Sequence, residues 1–93
     1  MGRYKIVLTN TAKNHLRDWQ RSGQIIALKR IERILIELSQ HPYSGIGSPE
    51  LLKYNLSELW SRQIDKKNHI IYQINNQIVT VFIISARGHY WDK

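Results

Sequence analysis

Residues 78–86, IVTVFIISA, constrain the fold of this chain more than any other stretch. Apolar side chains occupy both alternating sets of positions, Ile78, Phe82 and Ile84 on one and Val79, Val81 and Ile83 on the other. A β-branched, aromatic strand that is apolar on both sides belongs inside a sheet, so this segment is predicted to lie centrally. It then ends in RGHYWDK, with an arginine, a histidine, a tyrosine and a tryptophan where a chain end ordinarily frays into small polar residues. A central strand sets that ending beside neighbouring strand ends, which points to a built site.

The rest of the chain supplies the neighbours. RYKIVLT alternates Tyr4, Ile6 and Leu8 as a short strand does, and Thr9-Asn10-Thr11 offers an N-cap. A helix follows with Ala12, Leu16 and Trp19 on one face, stopped by Ser22-Gly23. A second helix carries Leu28, Ile31, Leu35 and Leu38 in one stripe up to His41-Pro42. HPYSGIGSPE gathers glycine, serine and proline into a loop, after which Leu51 to Tyr54 is a candidate short pairing segment. LWSRQI, HIIYQI and IVTVFIIS read as three strands. The turns between them, Asp65 to Asn68 and Asn75-Asn76, are short enough to make neighbours antiparallel. The order strand, helical hairpin, meander predicts an α+β domain with both helices on one sheet face and the other face open to a ligand.

With 93 residues there is one core, and any site must share its scaffold. The absence of cysteine excludes a disulfide framework and a thiolate metal site, and suits a reducing cytoplasm. His15, His41, His69 and His89 show no helical His-x-x-x-His spacing and have few carboxylates around them in sequence, so neither a metal nor another cofactor is expected. The start MGRYKIVLTN is too short and polar for a signal peptide, and no apolar run reaches a membrane-spanning length; the expected location is the cytoplasm. Fourteen lysines and arginines against seven acidic residues give a net charge of +7, which favours a polyanionic partner such as nucleic acid. Part of that charge, Lys13, Arg17 and Arg21 at four-residue spacing, equally fits the solvated face of a helix.

SPELLKYNLSELWSRQI, IIYQI and the terminal GHY resemble the YoeB/Txe toxins of the RelE superfamily, and the likeness spans most of the chain. Its most specific part runs from Pro49-Glu50 through Lys53 and Asn55-Leu56-Ser57 to Leu59-Trp60-Ser61-Arg62, and the helical hairpin before it has the family's order and length. The resemblance implies one domain over residues 1–93 with a RelE-like (microcin-like) fold. It also implies the toxin component of a type II toxin-antitoxin system, one that enters the ribosomal A site and cuts messenger RNA. Its partners would be the ribosome and mRNA, an antitoxin of the YefM, Axe or Phd type, and a second copy of itself.

Cutting RNA without a metal requires a base for the 2′-hydroxyl, an acid for the departing 5′-oxygen and cations for the charge on phosphorus. Carried over from the family motif, Glu50 is the candidate base; read from the residues alone it is an exposed loop carboxylate or the neighbour of an N-cap. An ordinary glutamate titrates near ~4.3, so the role demands burial or desolvation by substrate. His89 matches the family's terminal histidine and is the candidate acid, an imidazole near ~6.5 being able to hold and release a proton at cellular pH. Packing on Tyr90 or Trp91 is its plain alternative. Tyr90 is matched as well and can orient the phosphate or stack on a base.

Lys53 and Arg62 match basic positions of the motif and can hold phosphate, the first as a point charge and the second as a fork; either can also be a surface charge. Arg87, two residues before His89, would project to the same side of an extended strand and neutralise transition-state charge, or serve as an edge charge. His69 stands where the family pattern has an arginine; it can still contact phosphate, but without a guanidinium's planar fork. Trp19 and Trp60 are expected in the core or an interface, and Trp91 fits an RNA base or a dimer contact. Two rival functions share these features. One is the related toxin branch that inhibits DNA gyrase, against which Glu50, His89 and Tyr90 argue; the other is an inert RNA- or protein-binding module, for which basic charge suffices.

Overall fold

A computed structural model of the chain describes residues 3–52 and 59–88. In chain order these form β1 (Lys5–Leu8), α1 (Asn10–Ser22), α2 (Ile25–Gln40), β2 (Glu50–Leu51), β3 (Leu59–Gln63), β4 (His69–Asn75) and β5 (Thr80–Ser85). Thr9 starts α1 as expected: its side-chain oxygen accepts from Ala12 N at 3.1 Å, and the hydroxyl lies 2.9 Å from the carbonyls of both Ile83 and Ile84. The cap therefore ties the helix start to β5 while satisfying one of the orphan N–H groups of the first turn. Gly23, in the left-handed region, closes the helix.

The sheet runs β1-β5-β4-β3-β2. The predicted antiparallel meander of β3, β4 and β5 is present, and β2 extends it on one edge. On the other edge β1 joins β5 in parallel, with Ile6 opposite Val81 and Leu8 opposite Ile83, so the sheet is mixed. No hairpin links β1 to β5; the two helices and three strands lie between them, which leaves their direction free of a turn's constraint.

Alternation sorts the side chains. Ile70 and Tyr72 of β4 with Val81 and Ile83 of β5 form the main core against Trp19, Ile31, Ile34 and Leu38 of the helices. The buried stripe of α2 is Ala27, Ile31, Ile34 and Leu38: Ile31 and Leu38 are as predicted, while Ala27 and Ile34 take the buried places expected of Leu28 and Leu35, which flank the stripe half-buried. On the opposite face Leu52, Leu59 and Ile71 form a small second cluster against which Ile84 packs. The predicted last strand is shortened: Ile78 and Val79 belong to the turn, and Ile78 is 59% exposed. The Asn75 carboxamide oxygen accepts from Gln77 N at 3.0 Å and Ile78 N at 3.3 Å, and this side-chain turn claims two apolar residues that composition assigns to the strand. β5 is an interior strand with neighbours on both edges, and β4 takes the middle of the sheet.

Among the described residues, Arg62 is the largest fully buried side chain and the one charged side chain that is fully buried. Its Nε donates to the Tyr72 hydroxyl at 3.2 Å. Nη1 donates to Glu37 Oε1 at 2.8 Å and to the Ile46 carbonyl at 3.5 Å, and Nη2 to the carbonyls of His41 at 3.1 Å and Ser44 at 2.7 Å. A guanidinium has five N–H groups, and here each has an acceptor. The irregular chain from His41 to Ile46 is thereby wrapped around one side chain and pinned to α2 through Glu37, which also accepts from Ile46 N at 2.9 Å. Gly45 and Gly47, both at positive φ, make the wrap possible. A Cβ at Gly45 would collide with Glu37 Oε1 and Arg62 Nη1, and one at Gly47 would come within 2.9 Å of the Gln63 carbonyl.

Removing one partner of a buried ion pair strands the other, so Arg62→Ala is expected to lower stability by about 3–5 kcal/mol in urea unfolding at neutral pH. Arg62→Lys should restore little, a point charge with three donors being unable to serve five acceptors. The same bonds carry a pH signature. Burial pushes the Glu37 carboxyl up, but hydrogen bonds from Ile46 N, Arg62 and Arg33 outweigh it and hold the group below its ordinary 4.5. Its stabilisation is therefore full above 4.5 and lost as pH falls through the lower folded value. Acid titration of stability in Arg62→Ala should be shallower than in the parent; an unchanged acid limb would contradict this role.

Candidate active site

The face of the sheet away from the helices, predicted to be open, is buried at its centre, where Leu52, Leu59, Ser61 and Ile71 are 1–8% exposed. Partners directly opposite in a ladder share a face, so Glu50, paired with Ser61, stands on the same side as Ile71, Ser61's partner in β4. His69, paired with Gln63, is on that face two residues further along. Two strands and two residues separate Glu50 from His69, about 12 Å between backbones at ordinary sheet spacings. Between and beside them lies the apolar floor of Leu52, Leu59, Ile71 and Ile84. Because β2 runs antiparallel to β3, the start of β2 and the end of β3 meet at one end of the sheet. Gly47 continues this pairing beyond β2, its carbonyl accepting from Gln63 N at 2.7 Å, so the loop organised by Arg62 delivers Glu50 to this end.

Of the carboxylates among the described residues, Asp18, Glu37 and Asp65 are held by partners. The exposed side chains of Glu32, on α2, and Glu50 have no such partner among the described residues, and Glu50 alone of the two stands on the sheet.

The end of β5 reaches the same place. Beyond Ser85 the ladder gives way to side-chain bonds: Ala86 N donates to His15 Nδ1 at 3.1 Å, and the Trp19 indole N–H donates to the Ala86 carbonyl at 2.7 Å. Gly88 N donates to Asn68 Oδ1 at 2.9 Å, and the Gly88 carbonyl accepts from His69 N at 3.0 Å. Both backbone groups of Ala86 and both of Gly88 are thus occupied. As an acceptor at Nδ1, His15 carries its proton on Nε2. Burial, and then the nearby Arg87, push its pKa below 6.5 against the opposing pull of Asp18, which favours this neutral form. Asp65 accepts from Lys67 N and Asn68 N; although burial pushes its carboxyl up, these bonds and those from the Asn68 amide keep it below the ordinary 3.8.

Two sequence expectations change here. Arg62 does not offer its fork to phosphate: the side chain is 0% exposed and all five donors go to the protein, because the alternation that turns Trp60 and Ile64 toward the helices turns Arg62 with them. Arg87 does not lie on an extended strand either. β5 ends at Ser85, and Arg87 turns toward α1 to pair with Asp18 at 3.0 Å, both side chains being about half exposed. Glu50 starts an edge strand and His69 starts β4, together on the face away from the helices. Lys53, His89, Tyr90 and Trp91 lie outside the described residues.

Sequence reasoning missed His15, Asp65 and Asn68, and read Trp19 as a core or interface residue without its hydrogen bond to Ala86. A signal existed for one pair: His15 and Trp19 stand four residues apart, on one helix face. Nothing local marks Asn68, whose partner is twenty residues away.

The family model of the YoeB-like toxin of bacterial type II toxin-antitoxin systems matches residues 8–90. The Toxin YoeB of Streptomyces coelicolor is 34% identical over 87 residues, covering 92% of this chain and 99% of the relative. Among solved structures, a YoeB dimer from Staphylococcus aureus superposes with a TM-score of 0.81 at 27% identity, covering 95% of this chain and 99% of the other. A heterotetrameric YoeB-YefM toxin-antitoxin complex from Staphylococcus aureus gives 0.77 at the same identity and the same coverage. With the predicted motif block inside the match and the α+β fold shared, the chain belongs to the family of YoeB-like toxins of bacterial type II toxin-antitoxin systems.

Proposed function

We propose that this toxin is a ribosome-dependent endoribonuclease that cuts messenger RNA in the A site, in the cytoplasm, by acid-base catalysis without a metal. The observation that supports the reading is that Glu50, whose carboxylate has no partner among the described residues, stands at the same end of the same sheet face as His69, whose backbone N–H holds Gly88, the residue before His89 in sequence. Glu50 removes the proton of the 2′-hydroxyl, whose oxygen attacks the adjacent phosphorus. The bond from phosphorus to the 5′-oxygen breaks, and His89 protonates the leaving oxygen, giving a 2′,3′-cyclic phosphate and a 5′-hydroxyl. Lys53 and His69 supply charge and hydrogen bonds to the phosphate oxygens, and Tyr90 orients the scissile group.

Arg87 can join them at small cost. An exposed ion pair such as that with Asp18 is worth roughly 0–1 kcal/mol, so a phosphate competes for the guanidinium readily. Arg62 acts at a distance, through the loop that delivers Glu50. The Staphylococcus aureus complex and dimer support a YefM-type antitoxin and a homodimer for this chain too. A net charge of +7 calls for an acidic antitoxin segment, partly disordered when free, that folds over the site.

Primer extension on a translated message is expected to show cuts only when ribosomes are present. Glu50→Gln and His89→Gln should each slow cleavage by roughly 10²- to 10⁴-fold, the usual contribution of a positioned acid or base. Supercoiling defects without cuts would assign the chain to gyrase inhibition instead, and RNA binding without either would make it an inert module. His69→Arg restores the family's guanidinium and should leave the cleavage rate unchanged or raise it; complete loss in a folded variant would remove His69 from the phosphate contacts.

A further inference from the structure

The five-residue connection between β3 and β4, Ile64 to Asn68, is built around Asp65. Its Oδ1 accepts from Lys67 N at 2.9 Å, Asn68 N at 2.8 Å and Asn68 Nδ2 at 2.9 Å, and its Oδ2 lies 3.2 Å from the same Nδ2. A carboxylate accepts and never donates when ionised, so the Asn68 amide must turn its NH₂ to Asp65 and its oxygen the other way. That oxygen meets Gly88 N at 2.9 Å. The next residue in sequence, His69, uses its backbone N–H to hold the Gly88 carbonyl. Gly88 is thus gripped at both polar groups by two consecutive residues of one turn, at a φ of +77°. A tight turn with an ordered carboxylate needs none of this for its own stability: Asp65 already satisfies Lys67 N and Asn68 N without the Asn68 side chain reaching across to the end of β5.

We propose that Asn68, oriented by Asp65, is a positioning residue for catalysis: by fixing Gly88 it sets where the chain leaves the sheet, one residue before His89, and so governs how well His89 serves as the acid. This rests on His89 being the acid, as proposed above. A general acid is effective only within a narrow range of geometry, and a shift of about 1 Å can cost on the order of 10²-fold in rate. Asn68 touches neither substrate nor reacting atoms in this scheme; its effect passes through His89 alone.

The test is single-turnover cleavage of a message on saturating ribosomes, with ribosome affinity and thermal midpoint measured in parallel. Asn68→Ala is expected to slow cleavage by about 10- to 100-fold while affinity is unchanged. Asp65→Asn, which leaves the Asn68 side chain in place but removes the ionised acceptor that orients it, should slow cleavage in the same direction by less, and stands in if Asn68→Ala fails to fold. The decisive arm places Asn68→Ala in a His89→Ala background. A residue acting through His89 costs nothing more there, whereas a merely structural one costs the same factor in both. A wild-type rate for Asn68→Ala beside an inactive His89→Ala, or equal losses in both backgrounds, overturns the inference and leaves the acid in place. A wild-type rate for His89→Ala overturns the acid assignment itself.

Discussion

The buried guanidinium of Arg62 is the interaction on which the geometry of the site depends. Taking an arginine out of water costs several kcal/mol even after the protein relaxes, and only a complete set of acceptors offsets it. Here the acceptors come from three separate parts of the chain: Glu37 on α2, Tyr72 on β4, and the carbonyls of His41, Ser44 and Ile46 in the loop between α2 and β2. A loop with no regular structure of its own ordinarily samples many conformations. In this chain the alternatives would leave a charged donor buried and unpaired, so one conformation is selected. The loop ends in Glu50, and a carboxylate that would otherwise wander on a glycine-rich tether arrives at a fixed rung of the sheet.

Periodicity made most of the fold legible in the sequence. β1, both helices and the meander follow from patterns of two and of 3.6, and Thr9 and Gly23 mark the limits of α1 where capping chemistry requires. What escaped was decided by single side chains reaching across the fold. Composition extends the last strand to Ile78, but one asparagine oxygen at position 75 captures that residue for a turn. Arg62 sits in a strand at a position whose parity matches Trp60 and Ile64, so its inward direction could be read from LWSRQI; the expectation that charge faces solvent overrode it. Glu50 and His69 stand out in the sequence only through the family motif, and no local pattern distinguishes them from other surface groups. Asn68 and His15 bond to residues far off in sequence, which no window of local pattern contains.

The irregularity in the sheet explains how the end of β5 can serve both the core and the site. Up to Tyr72, opposite Ile83, strands β4 and β5 pair in one register; from Ile71, opposite Ser85, the register has moved by one residue. Such a bulge reverses the inward and outward sense of every side chain beyond it. Val81 and Ile83 face the helices, and the next residue of that core is Ala86 where strict alternation would put Ser85. Turned inward, Ala86 places its backbone groups within reach of His15 and Trp19, and α1 takes over from the ladder. Continued by two more residues, the shifted register brings Gly88 opposite Asn68, where their hydrogen bond is found. In the unshifted register position 87 would stand there, and the chain would leave the sheet one residue early with the opposite face forward. The inserted residue at Ile84 therefore does for Gly88 what Arg62 does for the loop: each brings its part of the chain to the end of the sheet where Glu50 and His69 stand.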